Sequence, residues 1–403
     1  MIPAINEIDI VEKRVFIRVD LDVPLTPEGE IADDSKIHRA LRTVRYAIGQ
    51  KAKVILGSHF GRPGGKLDRK YSLEAVGTRI SEMLNCRIYF TENSVGNAVK
   101  KVVSDMLPGE VILLENLDFH KQELSAGPEY AKALSETADI YVNDAISVSN
   151  QNRASITAIP EFFDKVSIGL DFKRELEGLS KLQNPERPFI IILGGSRVSH
   201  KIGFMESMMD RVHTFLIGGV LANTFLNAKG LGTGQSEVDQ TCLYRAKKLI
   251  SSAASRNIEL ILPDDVIVAE GNLRNHGSSY IISRESIPGD SQIMDVGPGT
   301  IKEFKAQIEG AGTVLWSGPL GVFEKPEFTK GSSEIAGALS SSSSFTAAMG
   351  DHTVGILDTL GIEEGSSGSK ESIDYISAGG RASFEYLENG TLSAITALEK
   401  RIQ

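Results

Sequence analysis

Short apolar runs rich in β-branched residues recur along the chain at intervals of roughly 20 to 40 residues, separated by stretches with helical spacing. The runs that are apolar at nearly every position are residues 15–17, 54–56, 111–114, 140–142, 189–193, 215–217, 260–262, 313–315 and 373–376. Strands covered by helices on both faces have this character, as in parallel sheets. The alternation therefore predicts an α/β fold of doubly wound, Rossmann-like parallel sheets.

A change of pattern near the middle of the chain divides it into two halves. Residues 172–182 place leucines at helical spacing, and two prolines in residues 184–188 end that pattern before the next apolar run. We interpret residues 172–182 as a linker helix between two domains with a cleft between them. The predicted domains are residues 1–168 and 169–388, followed by a tail, residues 389–403, that contains a helix over 391–402. The glycine- and serine-rich residues 365–369 predict a surface loop.

Composition narrows the class of protein. Of 403 residues, 41% are apolar and 24% are charged, which is ordinary for a globular protein. The net charge of −10 makes nucleic acid and anionic membranes poor partners. Two cysteines, Cys86 and Cys242, cannot form a disulfide framework or a cysteine-rich zinc site. Without a membrane-spanning run or a signal peptide, the sequence predicts a cytoplasmic protein that acts on small molecules.

The residues that follow the apolar runs differ between the halves. Ligands of open parallel sheets bind beyond the carboxyl ends of the strands. In the first half these positions carry charged groups that suit an anion pocket, since arginine binds phosphate and carboxylate through bidentate forks: Arg18, Asp20, His59, Arg62 and Asp118. In the second half they carry glycines, which allow phosphate to approach a backbone closely: Gly194, Gly195, Gly218, Gly219, Gly318 and Gly350.

Each feature alone has a simpler interpretation, because glycines also end strands and arginines also form structural salt bridges. Neither a G-x-x-x-x-G-K-[ST] loop nor a G-x-G-x-x-G fingerprint is present. An anion pocket on one half and several glycine ends on the other together favour phosphoryl transfer, in which positioning and charge neutralisation supply most of the catalysis.

Motifs in order along nearly the whole chain resemble those of the phosphoglycerate kinase family. They are residues 18–24 (RVDLDVP), 58–63 (SHFGRP), 114–120 (LENLDFH), 141–145 (YVNDA), 187–195 (RPFIIILGG), 316–324 (WSGPLGVFE) and 376–380 (ISAGG). Residues 349–353 (MGDHT) are closer to archaeal members, which have a histidine there. The resemblance implies a phosphotransferase of glycolysis and gluconeogenesis, a monomer or homodimer, that exchanges phosphate between 1,3-bisphosphoglycerate and ADP. It also implies 3-phosphoglycerate on the first domain, Mg²⁺ carried by ATP or ADP on the second, and a tail that packs back on the first.

The resemblance implies a substrate side with several departures from the family. Its residues here are Arg18, Asp20, Asp22, His59, Arg62, Asp118, Gln151 and Arg153, with Lys36 as a catalytic cation. Lys36 stands where the family has an arginine, so the charge stays but the planar fork is lost. Asp118 also replaces an arginine. Gln151 replaces the arginine of a His-Arg pair, although Arg153 lies two residues on.

The nucleotide side is altered as well. The resemblance implies catalytic roles for Arg197, Lys201 and Gly350, and nucleotide binding by Gly195, Arg197, Lys201, Gly219, Gly318, Pro319, Glu324, Gly350, Asp351, His352 and Thr353. Arg197 replaces a lysine and keeps its charge, while Gly299 replaces a lysine and Ser317 an asparagine. Asp351 replaces a glycine, which places a carboxylate where phosphate oxygens are expected, unless it holds a metal ion.

Charge decides how these departures are interpreted. A charge pair at 4 Å contributes about 4 kcal/mol at an effective dielectric constant near 20, so Asp118 alone would weaken the binding of 3-phosphoglycerate by about three decades. We therefore expect a phosphoglycerate kinase-like enzyme of weakened activity. Two alternatives remain open: a catalytically impaired paralogue that binds a nucleotide or metabolite, and a kinase for a different, less anionic carboxylate whose hydroxyl or amine pairs with Asp118.

Overall fold

The chain folds into two units, and each contains its own clusters of buried apolar residues. The computed structural model describes residues 2–271, 276–365 and 372–402. Unit 1 comprises Met1–Glu177 together with Arg381–Gln403, and unit 2 comprises Gly178–Gly380. The boundaries predicted from the sequence, 168/169 and 388/389, lie at other positions. Most of the loop predicted at 365–369 falls outside the described residues. No helix in the described ranges combines the length and apolar composition needed to cross a membrane.

Every predicted apolar run overlaps a strand, although Leu262 and Asp374 themselves lie outside the strands. In chain order they are β1 (Arg14–Arg18), β2 (Lys53–Gly57), β3 (Ile88–Thr91), β4 (Val111–Leu114), β5 (Ile140–Asn143), β6 (Lys165–Ile168), β7 (Phe189–Leu193), β8 (Thr214–Ile217), β9 (Glu259–Ile261), β10 (Asp265–Gly271), β11 (His276–Ser283), β12 (Ser291–Val296), β13 (Thr313–Ser317), β14 (Phe345–Met349), β15 (Glu363–Glu364), β16 (Ser372–Ile373) and β17 (Tyr375–Ser377). The run predicted over 373–376 is divided at Asp374, whose carboxylate accepts a hydrogen bond from the backbone N–H of Thr346.

Helices separate most of these strands, as the alternating pattern predicts. In chain order they are α1 (Ser35–Gly49), α2 (Glu74–Leu84), α3 (Asn97–Ser104), α4 (Lys121–Leu124), α5 (Pro128–Ser135), α6 (Leu170–Gln183), α7 (Val198–Met208), α8 (Gly219–Ala228), α9 (Leu243–Ser255), α10 (Pro298–Glu309), α11 (Lys330–Ser340), α12 (Asp351–Leu360), α13 (Arg381–Asn389) and α14 (Ser393–Ile402). The helices predicted over 172–182 and 391–402 are confirmed as α6 and α14. The boundary between the two units falls within α6.

Unit 1 is built on a six-stranded parallel sheet in the order β3-β4-β2-β1-β5-β6. Alternate residues of β1 enter different apolar clusters: Phe16 belongs to one, and Val15 and Ile17 belong to the other. Burial on both faces explains why the central strands are apolar throughout. Ile395 and Leu398 of α14 belong to the same cluster as Phe16, so α14 helps to form the core of this unit.

Unit 2 is built on a second six-stranded parallel sheet, in the order β17-β14-β13-β7-β8-β9. The two sheets of six parallel strands confirm the predicted α/β fold class. Unit 2 also contains an antiparallel sheet in the order β11-β10-β12, which the sequence pattern did not predict. Buried and less buried residues alternate at the start of β10, so this strand lacks the uninterrupted apolar character by which the others were recognised.

Candidate functional site

The first candidate site, called site 1, lies at the carboxyl ends of β1, β2 and β5 in unit 1. Within the sheet, β2 is the neighbour of β1 on one side and β5 is its neighbour on the other side. Such a reversal of strand order is where open α/β sheets bind ligands. Asp20, His59 and Ser147 all follow these three strands closely, which explains how distant parts of the sequence meet here.

Arg18, the last residue of β1, is completely buried. Its Nε donates to Ser155 Oγ at 2.9 Å, its Nη1 donates to the Val19 carbonyl, and its Nη2 lies 3.3 Å from His59 Nδ1. A guanidinium without exposed surface cannot offer a fork to a ligand from solvent. Arg18 therefore positions Ser155 and His59 in this structure, and its contact with substrate stays a prediction.

A buried carboxylate, Glu123 of α4, balances the charge of Arg18 through Ser155. The Ser155 hydroxyl donates to Glu123 Oε1 at 2.6 Å, and the Ser155 backbone N–H donates to Oε2 at 2.9 Å. Burial raises the pKa of Glu123, and the Arg18 charge opposes that rise. Sequence reasoning missed Glu123 and Ser155 because no local spacing connects them with β1.

His59 is buried and faces Arg18 through one ring nitrogen. Because arginine has no acceptor, Nδ1 must accept this contact, and the proton of the neutral ring then lies on Nε2. That nitrogen is 3.9 Å from an Asp22 carboxylate oxygen. Burial lowers the pKa of His59 to about 3, and the neighbouring positive charge of Arg18 acts in the same direction. His59 is therefore a neutral donor near pH 7.

Asp20 connects the ends of β1 and β5 with the start of α1. Its Oδ2 accepts from Ser147 Oγ at 2.5 Å and lies 3.0 Å from Lys36 Nζ. Burial alone would raise the pKa of Asp20, but nearby positive charge, including that of Lys36, holds this pKa below its usual value. Lys36 is about one third exposed, so its ammonium remains accessible while Asp20 orients it.

Asp118, Gln151 and Arg153 form a connected group at the same site. Asp118 Oδ1 accepts a hydrogen bond from Arg153 Nη1, and Gln151 Oε1 accepts from Arg153 Nε at 2.7 Å. The side chain of Asp118 is 3% exposed and that of Arg153 is 15% exposed. From the sequence alone, Asp118 is expected to carry an uncompensated charge. The ion pair with Arg153 corrects this assumption, because the aspartate is neutralised within the protein.

Arg62 is the exposed cation of this region. It follows Gly61, where a Cβ would lie 2.3 Å from the Tyr71 ring and φ is +61°, so the turn requires glycine. The Gly61 N–H donates to Asp22 Oδ1 at 2.7 Å. Within the described ranges, Arg62 makes no ion pair or side-chain hydrogen bond, which leaves its guanidinium available to an anion.

The second candidate site, called site 2, lies at the carboxyl ends of β7, β8, β13 and β14 in unit 2. Strand order reverses between β7 and β13. A Cβ at Gly194 would lie 2.0 Å from the Pro319 carbonyl oxygen, so only glycine permits this approach of the two loops. The N–H groups of Gly195, Gly219 and Gly318 donate to Pro319 O, Leu320 O and Thr353 Oγ1. These glycines would therefore contact a nucleotide through their Cα surfaces rather than through N–H groups.

The start of α12 offers backbone donors instead. Gly350 has a φ of +94° and precedes the helix, and Asp351 and His352 are its exposed first residues. In the described part of the chain, the N–H groups of Asp351 and His352 donate to no other atom. A helix N-terminus with free N–H groups attracts phosphate, but the carboxylate of Asp351 carries the opposite charge to what such a ligand needs.

Lys201 and Arg197 supply the cations of site 2. Lys201, on α7, donates from Nζ to the Ser317 carbonyl at 3.0 Å and to Ser317 Oγ at 2.5 Å. Burial and the nearby charge of Arg197 lower the pKa of Lys201 to about 7. Arg197, immediately before α7, is exposed, as is Glu324 in the loop after β13. Sequence reasoning noted the change to Ser317 but missed its hydrogen bonds to Lys201.

Within the described ranges, no cluster of three or more histidine, cysteine or carboxylate side chains is able to hold a metal ion. Asp351 is the carboxylate placed beside the free N–H groups of α12. The residues present therefore fit a Mg²⁺ ion that arrives with nucleotide phosphates and has Asp351 as an available side-chain ligand.

Comparison with known proteins places this geometry in one family. The family model described as phosphoglycerate kinase matches residues 5–390. A curated phosphoglycerate kinase of Desulfosudis oleivorans is 38% identical over 398 residues, covering 98% of each chain. The solved structure of phosphoglycerate kinase from Coxiella burnetii is 33% identical with a TM-score of 0.89 over 100% of both chains. That of the Pyrococcus horikoshii enzyme is 26% identical with a TM-score of 0.83 over 99% of both chains. This chain belongs to the phosphoglycerate kinase family.

Proposed function

We propose that this protein catalyses reversible phosphoryl transfer between 1,3-bisphosphoglycerate and ADP, with 3-phosphoglycerate held weakly. The observation that carries the proposal is the grouping of Lys36, Asp20 and neutral His59 at the sheet end of site 1. Carboxylate-binding cations and a hydroxyl acceptor are the groups that a hydroxy acid substrate requires. Membership of the family supplies the reaction class.

Within site 1, each side chain has a distinct proposed role. Lys36 neutralises the carboxylate that accepts the phosphoryl group, and Asp20 orients Lys36 and accepts a hydrogen bond from the substrate hydroxyl. His59 donates from Nε2, and Arg62 binds the distal phosphate. Support for these roles comes from the contacts of Asp20 with Lys36 and Ser147 and from the exposure of Arg62.

Site 2 has the complementary proposed role of holding the nucleotide. Arg197 and Lys201 neutralise charge on the phosphates, and the N–H groups at the start of α12 bind phosphate oxygens. Glu324 binds the ribose hydroxyls. When bound with the nucleotide, Mg²⁺ would supply further charge neutralisation on the phosphates.

The weakened binding follows from the Asp118–Arg153 pair. Because Asp118 neutralises Arg153, that cation attracts a phosphate less strongly than a free arginine would. Arg62 then remains the one uncompensated arginine among the site 1 residues of the described chain. We expect a high KM for 3-phosphoglycerate with a kcat less affected, because the weakened contacts lie at the distal phosphate rather than at the reacting carboxylate.

The test is a coupled assay of ATP-dependent phosphorylation of 3-phosphoglycerate, in which the acyl phosphate is reduced by an excess of coupling enzyme. Wild type and Asp118→Arg are compared over a range of 3-phosphoglycerate concentrations. Measurable wild-type turnover at high substrate concentration supports the proposal. Absence of turnover in wild type at saturating ATP, in folded protein, contradicts it.

A second candidate function is a paralogue that binds a nucleotide or metabolite without catalysis. The observation that favours it is the altered substrate side, where Gln151 carries no charge and Asp118 neutralises Arg153. Titration with ADP and Mg²⁺ separates this candidate from a protein without nucleotide affinity. Binding without turnover would support the paralogue.

A further inference from the structure

Arg153 is held by two partners at once. Asp118 accepts from its Nη1, and Gln151 accepts from its Nε. The guanidinium is thereby fixed in one orientation and its charge is neutralised by a carboxylate that is almost completely buried. The positive charge of Arg153 also acts on His59 and contributes to lowering the pKa of that side chain.

The formal charges of the site 1 side chains sum to zero when its buried groups are included, although Arg62 makes no ion pair within the described ranges. The cations are Arg18, Lys36, Arg62 and Arg153, and the anions are Asp20, Asp22, Asp118 and Glu123. His59 adds no charge near pH 7, because burial keeps it neutral. A phosphate monoester carries about 1.5 to 2 negative charges at pH 7 in addition to any carboxylate on the same molecule. A balanced site is poorly matched to such a ligand.

We propose that Asp118 and Arg153 together form a specificity element that favours short hydroxycarboxylic acids without a distal phosphate over phosphorylated ones. This inference rests on the proposed function, since it concerns the acceptor of the same phosphoryl transfer. Arg153 presents oriented hydrogen-bond donors without a net charge, which suits a distal hydroxyl. A distal amine suits the pair poorly, because Asp118 is already occupied by Arg153 and arginine donates but does not accept.

The reaction at the carboxyl group is unchanged by this choice of acceptor. A carboxylate oxygen of the acid forms a bond to the γ-phosphorus of ATP as the bond from that phosphorus to the β–γ bridging oxygen breaks. The electron pair of the broken bond leaves with ADP. No proton is gained or lost, and the products are an acyl phosphate and ADP.

The experiment compares D-glycerate with 3-phosphoglycerate as acceptors for the full chain. Acyl phosphate formation from Mg-ATP is trapped with hydroxylamine, and kcat and KM are measured for each acid. We expect the wild type to use D-glycerate with a kcat/KM at least equal to that for 3-phosphoglycerate. Asp118→Asn, which removes one charge at constant shape, shifts this preference about ten-fold toward 3-phosphoglycerate, mainly through its KM.

The matched control is Asp139→Asn. Asp139 also pairs with an arginine, Arg14, at 2.5 Å, but it precedes β5 and lies at the opposite, amino-terminal edge of the same sheet. This control is expected to leave the ratio of the two kcat/KM values unchanged. An equal shift in Asp139→Asn and Asp118→Asn would show that the effect is structural and would overturn the inference.

Direct binding to the wild type keeps the test decisive if Asp118→Asn does not fold. The dissociation constants of 3-phosphoglycerate and D-glycerate are measured by calorimetry, and a tighter D-glycerate complex supports the inference. Turnover of 3-phosphoglycerate with no phosphorylation of D-glycerate overturns the inference and leaves the proposed function standing. Phosphorylation of neither acid by folded protein overturns both.

Discussion

The ammonium of Lys201 is expected to take up a proton when a nucleotide binds to site 2. In the free protein, burial and the charge of Arg197 lower the pKa of Lys201 to about 7. The phosphates of ADP would bring negative charge beside this ammonium and restore a higher pKa. Binding of the nucleotide and protonation of Lys201 are therefore coupled.

The size of the effect follows from the pKa of Lys201. With a pKa of about 7, about a quarter of the Lys201 side chains are charged at pH 7.5. ADP binding at that pH should therefore take up about 0.75 proton. Between pH 6.5 and pH 8.5, the cost of protonating Lys201 rises by about 2 kcal/mol, which corresponds to a roughly 25-fold loss of affinity.

Isothermal titration of ADP in buffers of different ionisation enthalpy measures this proton uptake directly. Lys201→Met is the matched control, because methionine keeps the length of the side chain but does not titrate. The difference between the two proteins also removes the contribution of the ADP phosphates, which titrate in both. Equal proton uptake in wild type and Lys201→Met, or no uptake in wild type, would refute the coupling.

Three further changes test other parts of the structure. Asp351→Gly removes the carboxylate at the start of α12, so ADP without Mg²⁺ should bind about ten-fold more tightly by calorimetry; an unchanged or weaker affinity would contradict this. Burial raises the pKa of Asp295 to about 7, so the folded protein retains a proton that the unfolded chain releases above about pH 4. The free energy of unfolding of the wild type should then fall by up to about 4 kcal/mol from pH 4 to pH 7. Urea denaturation at several pH values should show that Asp295→Asn lacks this fall. The same dependence of the free energy of unfolding on pH in both proteins would contradict the prediction. At position 169 a Cβ would lie 2.1 Å from the Asp144 carboxyl group. Gly169→Ala should therefore reduce the free energy of unfolding by about 2 kcal/mol in chemical denaturation. A stability equal to that of the wild type would show that the carboxyl group moves aside freely.

The parallel sheets were predictable because their central strands are covered on both faces. Residues 189–193 are all buried in β7, and such a strand is visible in the sequence as an uninterrupted apolar run. The antiparallel strands β10 to β12 carry a weaker signal, since less buried residues interrupt their apolar positions. Edge strand β3 has only one buried residue, Thr91, and was missed for the same reason.

Residues of the candidate sites were predictable from the sequence only where they lie close after the carboxyl end of a strand. Asp20 and His59 directly follow strands that are neighbours in the sheet, so their proximity follows from the parallel fold. The bond between Asp118 and Arg153 joins residues 35 positions apart, on loops whose conformations no periodic pattern specifies. Without that contact the sequence predicts a free charge at Asp118, whereas the structure pairs this carboxylate with Arg153.

The division of unit 1 into two stretches of chain affects how the protein is made. Unit 2, about 200 residues long, is synthesised before α14. Translation of these residues takes roughly 10 to 40 s at bacterial and eukaryotic rates. Throughout this interval the apolar cluster around Phe16 lacks the side chains of Ile395 and Leu398 that complete it. A nascent chain with such an uncovered surface is prone to aggregate, so we expect the first sheet to be the part of this polypeptide that engages chaperones on the ribosome.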